Sequence, residues 1–195
     1  MGNALQMSAA FHRAADHLVL TYEVVNADHR DAYLLNRLYR TVPAWDISPD
    51  IIYVHLDPGA EAVCLSKQLA ELPTGFTVTA PVAPFVTPVR AGSSFREEVK
   101  VPLPVREYRE YPVPPGAAGR VLRPRVYRHA SFTLGYYWRP EGTVEKRQDV
   151  HGTAMVLPRT PPGRPVEFGF LQTDTKRLDM PVLEPVLGRA EEPVP

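Results

Sequence analysis

An all-β fold, an antiparallel β-sandwich with long proline-rich loops and about nine or ten strands, is what this sequence predicts. Three observations carry it. Proline supplies 22 of the 195 residues, roughly twice the average usage of about 5%. Apolar residues recur with period two in short runs, the spacing that loads one face of a strand. No segment has the 3.6-residue apolar stripe of a strong amphipathic helix, and no strand–helix alternation is visible. Proline lacks a backbone donor and fixes φ, so it favours loops between such strands and blunts sheet edges.

The alternation begins at the N-terminus. Leu18, Leu20, Tyr22 and Val24 alternate with Val19, Thr21, Glu23 and Val25, and Met7 to Arg13 is placed to pair with them through a turn at 14–17. A helix over 4–15 is the rival, because Ala, Leu, Gln and Met favour helix. Asn26 to Asp31 is a polar turn whose Asn and Asp side chains bond nearby backbone. The strand expected over Ala32 to Thr41 is apolar on both sides, so a central, covered position follows. Trp45 lies in the next loop, where it is expected to plug one end of the core. Ile51 to Asp57 and Ala62 to Leu69 form a hairpin around Pro58-Gly59.

Residues 72–88 read as a proline-dense loop with a short edge strand at Thr77 to Thr79. From Phe95 to Val101, Phe95, Glu97 and Val99 alternate with Arg96, Glu98 and Lys100. A loop over 102–118 follows, anchored by the rings of Tyr108 and Tyr111. The longest strand runs from Val121 to Trp138. Val126, Ala130, Phe132, Leu134, Tyr136 and Trp138 form its apolar face. Pro124 near its start implies an edge position or a bulge, with entry to the core from about Val126. Two closing strands are expected at Val150 to Leu157 and Val166 to Gln172. One domain thus spans 1–180, and an extended C-terminal tail spans 181–195. The layout resembles an immunoglobulin-type sandwich enlarged by loops. The Cys…Trp…Cys spacing of true immunoglobulin domains is missing, because Cys64 is the one cysteine.

Composition narrows the function. Lys plus Arg and Asp plus Glu number 22 each. Nucleic acid is therefore not the expected partner, since such binders carry a basic excess or stripe. No apolar run approaches the length of a membrane helix. Met1 to Ala10 lacks the charged start and long apolar stretch of a secretory signal. With one thiol and no possible internal disulfide, the expectation is a cytoplasmic protein.

Catalytic signatures are missing: no G-x-S-x-G, no S-x-x-K, no P-loop, no H-E-x-x-H and no paired-cysteine zinc pattern. No cofactor is expected. Two pairs, His55 with Asp57 and Asp149 with His151, each put an imidazole and a carboxylate on one strand face. If the two strands were neighbours, the four groups could ligate a metal, and a metal-dependent enzyme is the alternative function. The blander reading is exposed strand ends. Asp28, His29 and Asp31 are better explained by turn chemistry. Cys64, between apolar neighbours, is expected to be buried and structural. Arg123 and Arg125, with Arg120 and Arg128, form a local basic patch that could meet a single strand of nucleic acid. Its solvated reading pairs it with Glu97 and Glu98. What remains is a non-enzymatic interaction module, touching an unknown protein partner or a second copy through loops or edge strands. Trp45, Tyr108, Tyr111, Arg123 and Arg125 are its candidate contacts.

Overall fold

A computed structural model describes residues 4–40, 46–72, 77, 82–111, 120–150 and 152–187. Trp45, His151 and the strand expected at Thr77 to Thr79, Thr77 apart, lie outside the described residues. All regular structure among the described residues is β. The strands are β1 (Leu5–Arg13), β2 (His17–Asn26), β3 (Ala32–Arg37), β4 (Tyr53–Asp57), β5 (Ala62–Lys67), β6 (Phe85–Val89) and β7 (Ser94–Pro102). They continue as β8 (Val105–Arg106), β9 (Arg120–Trp138), β10 (Val144–Val150), β11 (Thr153–Arg159), β12 (Phe168–Gln172) and β13 (Lys176–Leu187).

The strands form two sheets. β1-β2-β7 is antiparallel throughout. The ten-stranded sheet runs β10-β11-β6-β3-β9-β13-β8, with β12 also on β9 and the β4–β5 hairpin joined to β9 through β5. It is mixed, because β5 pairs parallel with β9 and β8 parallel with β13. The rival N-terminal helix is replaced by β1, in full register with β2 from Leu5 opposite Asn26 to Arg13 opposite Leu18.

Period two explains the core. Leu18, Leu20, Tyr22 and Val24 of β2 and Val99 and Val101 of β7 are buried. They share one apolar cluster with Leu34, Val54, Leu56, Val63, Leu65, Phe132, Leu134, Leu171, Met180 and Val182 from the larger sheet. β3, between β6 and β9, is buried on both faces as its two-sided apolar pattern implies. Leu34 joins the main cluster, and Tyr33 and Leu35 join a smaller one with Val86 and Tyr137 on the other face.

The long strand β9 departs from the expected phase. The backbone N–H groups of Arg128 and His129 both donate to the Glu61 carbonyl, at 2.9 and 3.1 Å. Two residues facing one is a β-bulge, and it re-aims side chains on one side of it. Tyr127, expected on the outer face, is therefore buried beside Ala130 and Phe132, while Val126 is 57% exposed. Entry into the core comes one residue later than expected, at a bulge.

The prolines are less confined to loops than the sequence implies. Pro88, Pro102, Pro124, Pro158, Pro181 and Pro185 all lie within strands. The stretch 181–187, assigned to the tail, completes β13. In the β9–β13 ribbon, Pro124 faces Leu183, Pro181 faces Val126 and Pro185 faces Leu122. These pairs are two residues apart, so they belong to one class of an antiparallel ladder. A proline cannot donate, so that class is the non-hydrogen-bonded one, and no rung is lost. Pro88 faces Tyr33 in the β3–β6 pairing, and β11 meets β6 only at Val86 opposite Val156. The ladder on that far side thus stops short of Pro88.

Candidate functional site

The described candidate metal ligands, His55, Asp57 and Asp149, do not converge. His55 and Asp57 stand on β4, and Asp149 on β10; β5, β9, β3, β6 and β11 separate those strands along the sheet. Both carboxylates have local roles. Asp57 Oδ1 accepts the N–H groups of Gly59 and Ala60, shaping the β4–β5 turn. Asp149 Oδ1 accepts the Gly152 N–H in the β10–β11 turn. His55 Nδ1 lies 2.7 Å from Arg109 Nη2 and 3.3 Å from Glu107 Oε1. Among the described residues no three His, Cys, Asp or Glu side chains gather as a metal site would require.

Turn chemistry also accounts for Asn26 to Asp31. Asn26 Oδ1 accepts the Asp28 N–H, and Asp28 Oδ1 accepts the Arg30 N–H. Asp31 joins Arg90 and Arg139 at 2.8 and 3.1 Å. Tyr108 and Tyr111 hold their loop. The Tyr108 and Val54 backbones exchange hydrogen bonds at 2.9 Å. The Tyr108 ring packs on Tyr53, and the Arg40 guanidinium sits 4.7 Å from its centre. Tyr111 Oη accepts the Val82 N–H.

Arg123 and Arg125 stand exposed on the ribbon, and Arg125 Nε lies 3.8 Å from Glu184 Oε2. Arg128 pairs with Glu61, not with Glu97 or Glu98. Cys64 is half-buried rather than fully buried, at an outward position between Val63 and Leu65.

Glu97 turns inward with Val99 and becomes the centre of a buried polar cluster. Its Oε2 accepts Tyr22 Oη at 2.6 Å and Lys67 Nζ at 2.7 Å. Asn36 Nδ2 stands 3.5 Å from that same oxygen. Arg37 Nη1 faces Oε1 at 3.0 Å. Lys67 is fully buried and donates also to the Pro49 carbonyl at 2.6 Å. Tyr22 and Glu97 come from the smaller sheet, and Asn36, Arg37 and Lys67 from the larger, so the cluster latches the two together. Burial pushes the Lys67 ammonium below the ordinary lysine value, against the pull of the Glu97 carboxylate. Burial, reinforced by Glu97, raises the Tyr22 hydroxyl. The inward parity of Glu97 was legible in the alternation with Phe95 and Val99; its partner Lys67, in the inward register of β5, carried no signal.

A second feature lies on the surface. β12 alternates, so Leu171 enters the main core while Phe168 and Phe170 remain 54% and 65% exposed. The Phe168 ring leans on Tyr137 of the smaller cluster, centres 5.5 Å apart. Beside the two rings is a groove of about 90 Å³ lined by Leu35, Gln68, Leu69, Glu71, Phe168, Gly169 and Phe170.

Gly135 permits its far wall. A Cβ there would lie 2.9 Å from Gln68 Cβ and 3.2 Å from Gln68 Cα, which is backbone. Gly135→Ala is therefore expected to push the Gln68–Leu69 segment off β9 and to cost about 1–3 kcal/mol, the usual range for overpacking. Urea unfolding together with amide shifts at Gln68 and Leu69 checks this. Unchanged stability and unchanged shifts would show that the segment does not rest on β9 as described.

No family model, no curated protein and no solved structure matches this chain.

Proposed function

We propose that this chain is a non-enzymatic protein-interaction module. Its scaffold is read as an immunoglobulin-like β-sandwich with proline-rich loops, and its contact surface as β12 with the adjoining groove. The observation that carries this reading is the exposed pair Phe168 and Phe170. Large aromatic side chains beside a concave apolar surface are what interaction sites supply and what a solvated surface does not need. The titratable groups of the interior support it from the other side. Lys67 and Glu97 are buried against each other, and neither lines the groove. Tyr108 and Tyr111 fit this reading better as loop anchors than as contacts, because their ring and hydroxyl are engaged within the chain.

Among the described residues no helix is long and apolar enough to cross a membrane. With the lone Cys64, this supports a cytoplasmic setting as part of the same reading.

A photo-crosslinking amino acid placed at Phe170 in the full chain tests the surface in cells. One or a few discrete adducts are expected from position 170, and none from a control at Lys146 on the charged strand β10. Equal labelling from both positions, or none from either, would overturn the assignment of β12 as the contact surface.

A further inference from the structure

Resting on that reading, we infer that the β12 groove takes a partner peptide bearing an aliphatic side chain next to a lysine or arginine. The lining sets the first half. The groove is small, about 90 Å³, and its wall is mostly apolar. An aliphatic side chain laid into it covers that apolar wall. Its walls of Leu35, Leu69 and the two phenylalanines suit that occupant.

Charge sets the second half. Glu71 lines the same groove, is exposed, and makes no ion pair or hydrogen bond with any described residue. Gln68, the other polar lining residue, is equally uncommitted. An unpaired carboxylate at the rim of an apolar groove selects a cation next to the buried group, and disfavours an acidic residue there. The exposed faces of Phe168 and Phe170 add to the attraction, because an aromatic face draws a cation. An anionic ligand does not fit these surroundings.

The test is a displayed random heptapeptide library panned on the full chain. The leading peptide is then synthesised and titrated while amide shifts are followed. The expected motif is Leu, Ile or Val beside Lys or Arg, with shifts centred on Gln68 to Glu71 and Phe168 to Phe170. Glu71→Lys, a surface change with no partner to break, is expected to weaken binding about tenfold. Exchanging the peptide's cation for glutamate should do the same. Peptides that map to the groove but lack a cation, or that ignore Glu71→Lys, would overturn this inference and leave the interaction surface standing. Enrichment with no shift at β12 would overturn the surface as well. Self-association of the chain lost on Phe170→Ala would replace the peptide by a second copy, and so would also overturn the inference.

Discussion

Glu97→Ala is expected to be the most damaging single substitution in this protein, costing about 3–5 kcal/mol. The reason is asymmetric. Lys67 is fully buried and keeps only the Pro49 carbonyl once the carboxylate is gone. Removing one member of a buried pair leaves a charge with no counter-charge, and costs of that size follow. At this chain length the melting temperature falls by about 10 °C or more. Two controls separate this from simple loss of volume. The double variant Lys67→Met, Glu97→Leu removes the buried Lys67–Glu97 pair and should recover part of the loss, the remainder being the cost of leaving Tyr22, Asn36 and Arg37 without their acceptor. The single variant should also become less destabilised as pH rises. Burial already holds Lys67 below its ordinary value against the pull of Glu97, and losing that carboxylate lowers it further, so the variant gains stability with rising pH over a wider window below about 10.5 than the parent does. Urea unfolding of the three proteins at about pH 6 and about pH 9 reads both effects. A double variant as unstable as Glu97→Ala would show that the cluster's charges are not what matters.

The visible part of this architecture is local. β2 declares itself because Leu18, Leu20, Tyr22 and Val24 alternate without a break. The β4–β5 hairpin declares itself through Pro58-Gly59 between two apolar runs. β6, β10 and β13 do not, and each for a physical reason. β6 contains Pro88, which fits a strand because the β11 ladder on its far side stops at Val86. β10, Val-Glu-Lys-Arg-Gln-Asp-Val, is mostly exposed at a sheet edge, where charge hinders unwanted pairing. It therefore lacks the apolar face that marks a strand. β13 includes Pro181 and Pro185 and is held by β9, a pairing from Lys176 opposite Ala130 to Leu187 opposite Arg120 that no short window contains.

The candidate site was legible only in fragments. Glu97 announced its inward parity, but the cation that neutralises it arrives from another sheet. The alternation of Phe168, Phe170 and Gln172 against Gly169 and Leu171 marks a strand, yet which face is left open depends on what the rest of the larger sheet covers. The bulge at Arg128 and His129 depends on the Glu61 carbonyl, and it exchanged the roles of Val126 and Tyr127.

Alkaline unfolding between about pH 10 and pH 12 is the second large effect expected. Tyr127 and Tyr137 are 1% and 8% exposed, and burial pushes each hydroxyl up to about 12, the Glu184 carboxylate adding to the effect at Tyr127. Burial also raises Tyr22, Tyr33 and Tyr53. In the unfolded chain each tyrosine ionises near about 10. A group whose folded value is raised contributes stability that is complete below the unfolded value and is lost as pH rises through the folded one. For Tyr127 and Tyr137 the window is therefore about 10 to 12. Each unit of rise is worth about 1.4 kcal/mol, so the two hydroxyls together withdraw a sizeable share of the about 5–15 kcal/mol that an ordinary domain has. Lys67 does not offset this, because its opposite contribution is complete by about pH 10.5. Tyrosinate absorbance and β-sheet circular dichroism should thus change together in one cooperative step. Tyr137→Phe should move that step to higher pH, since burial alone raises this hydroxyl and phenylalanine keeps the packing while removing the proton. Tyrosines that titrate singly near pH 10 with the sheet signal intact would show that these hydroxyls are open to water and that the two apolar clusters do not enclose them.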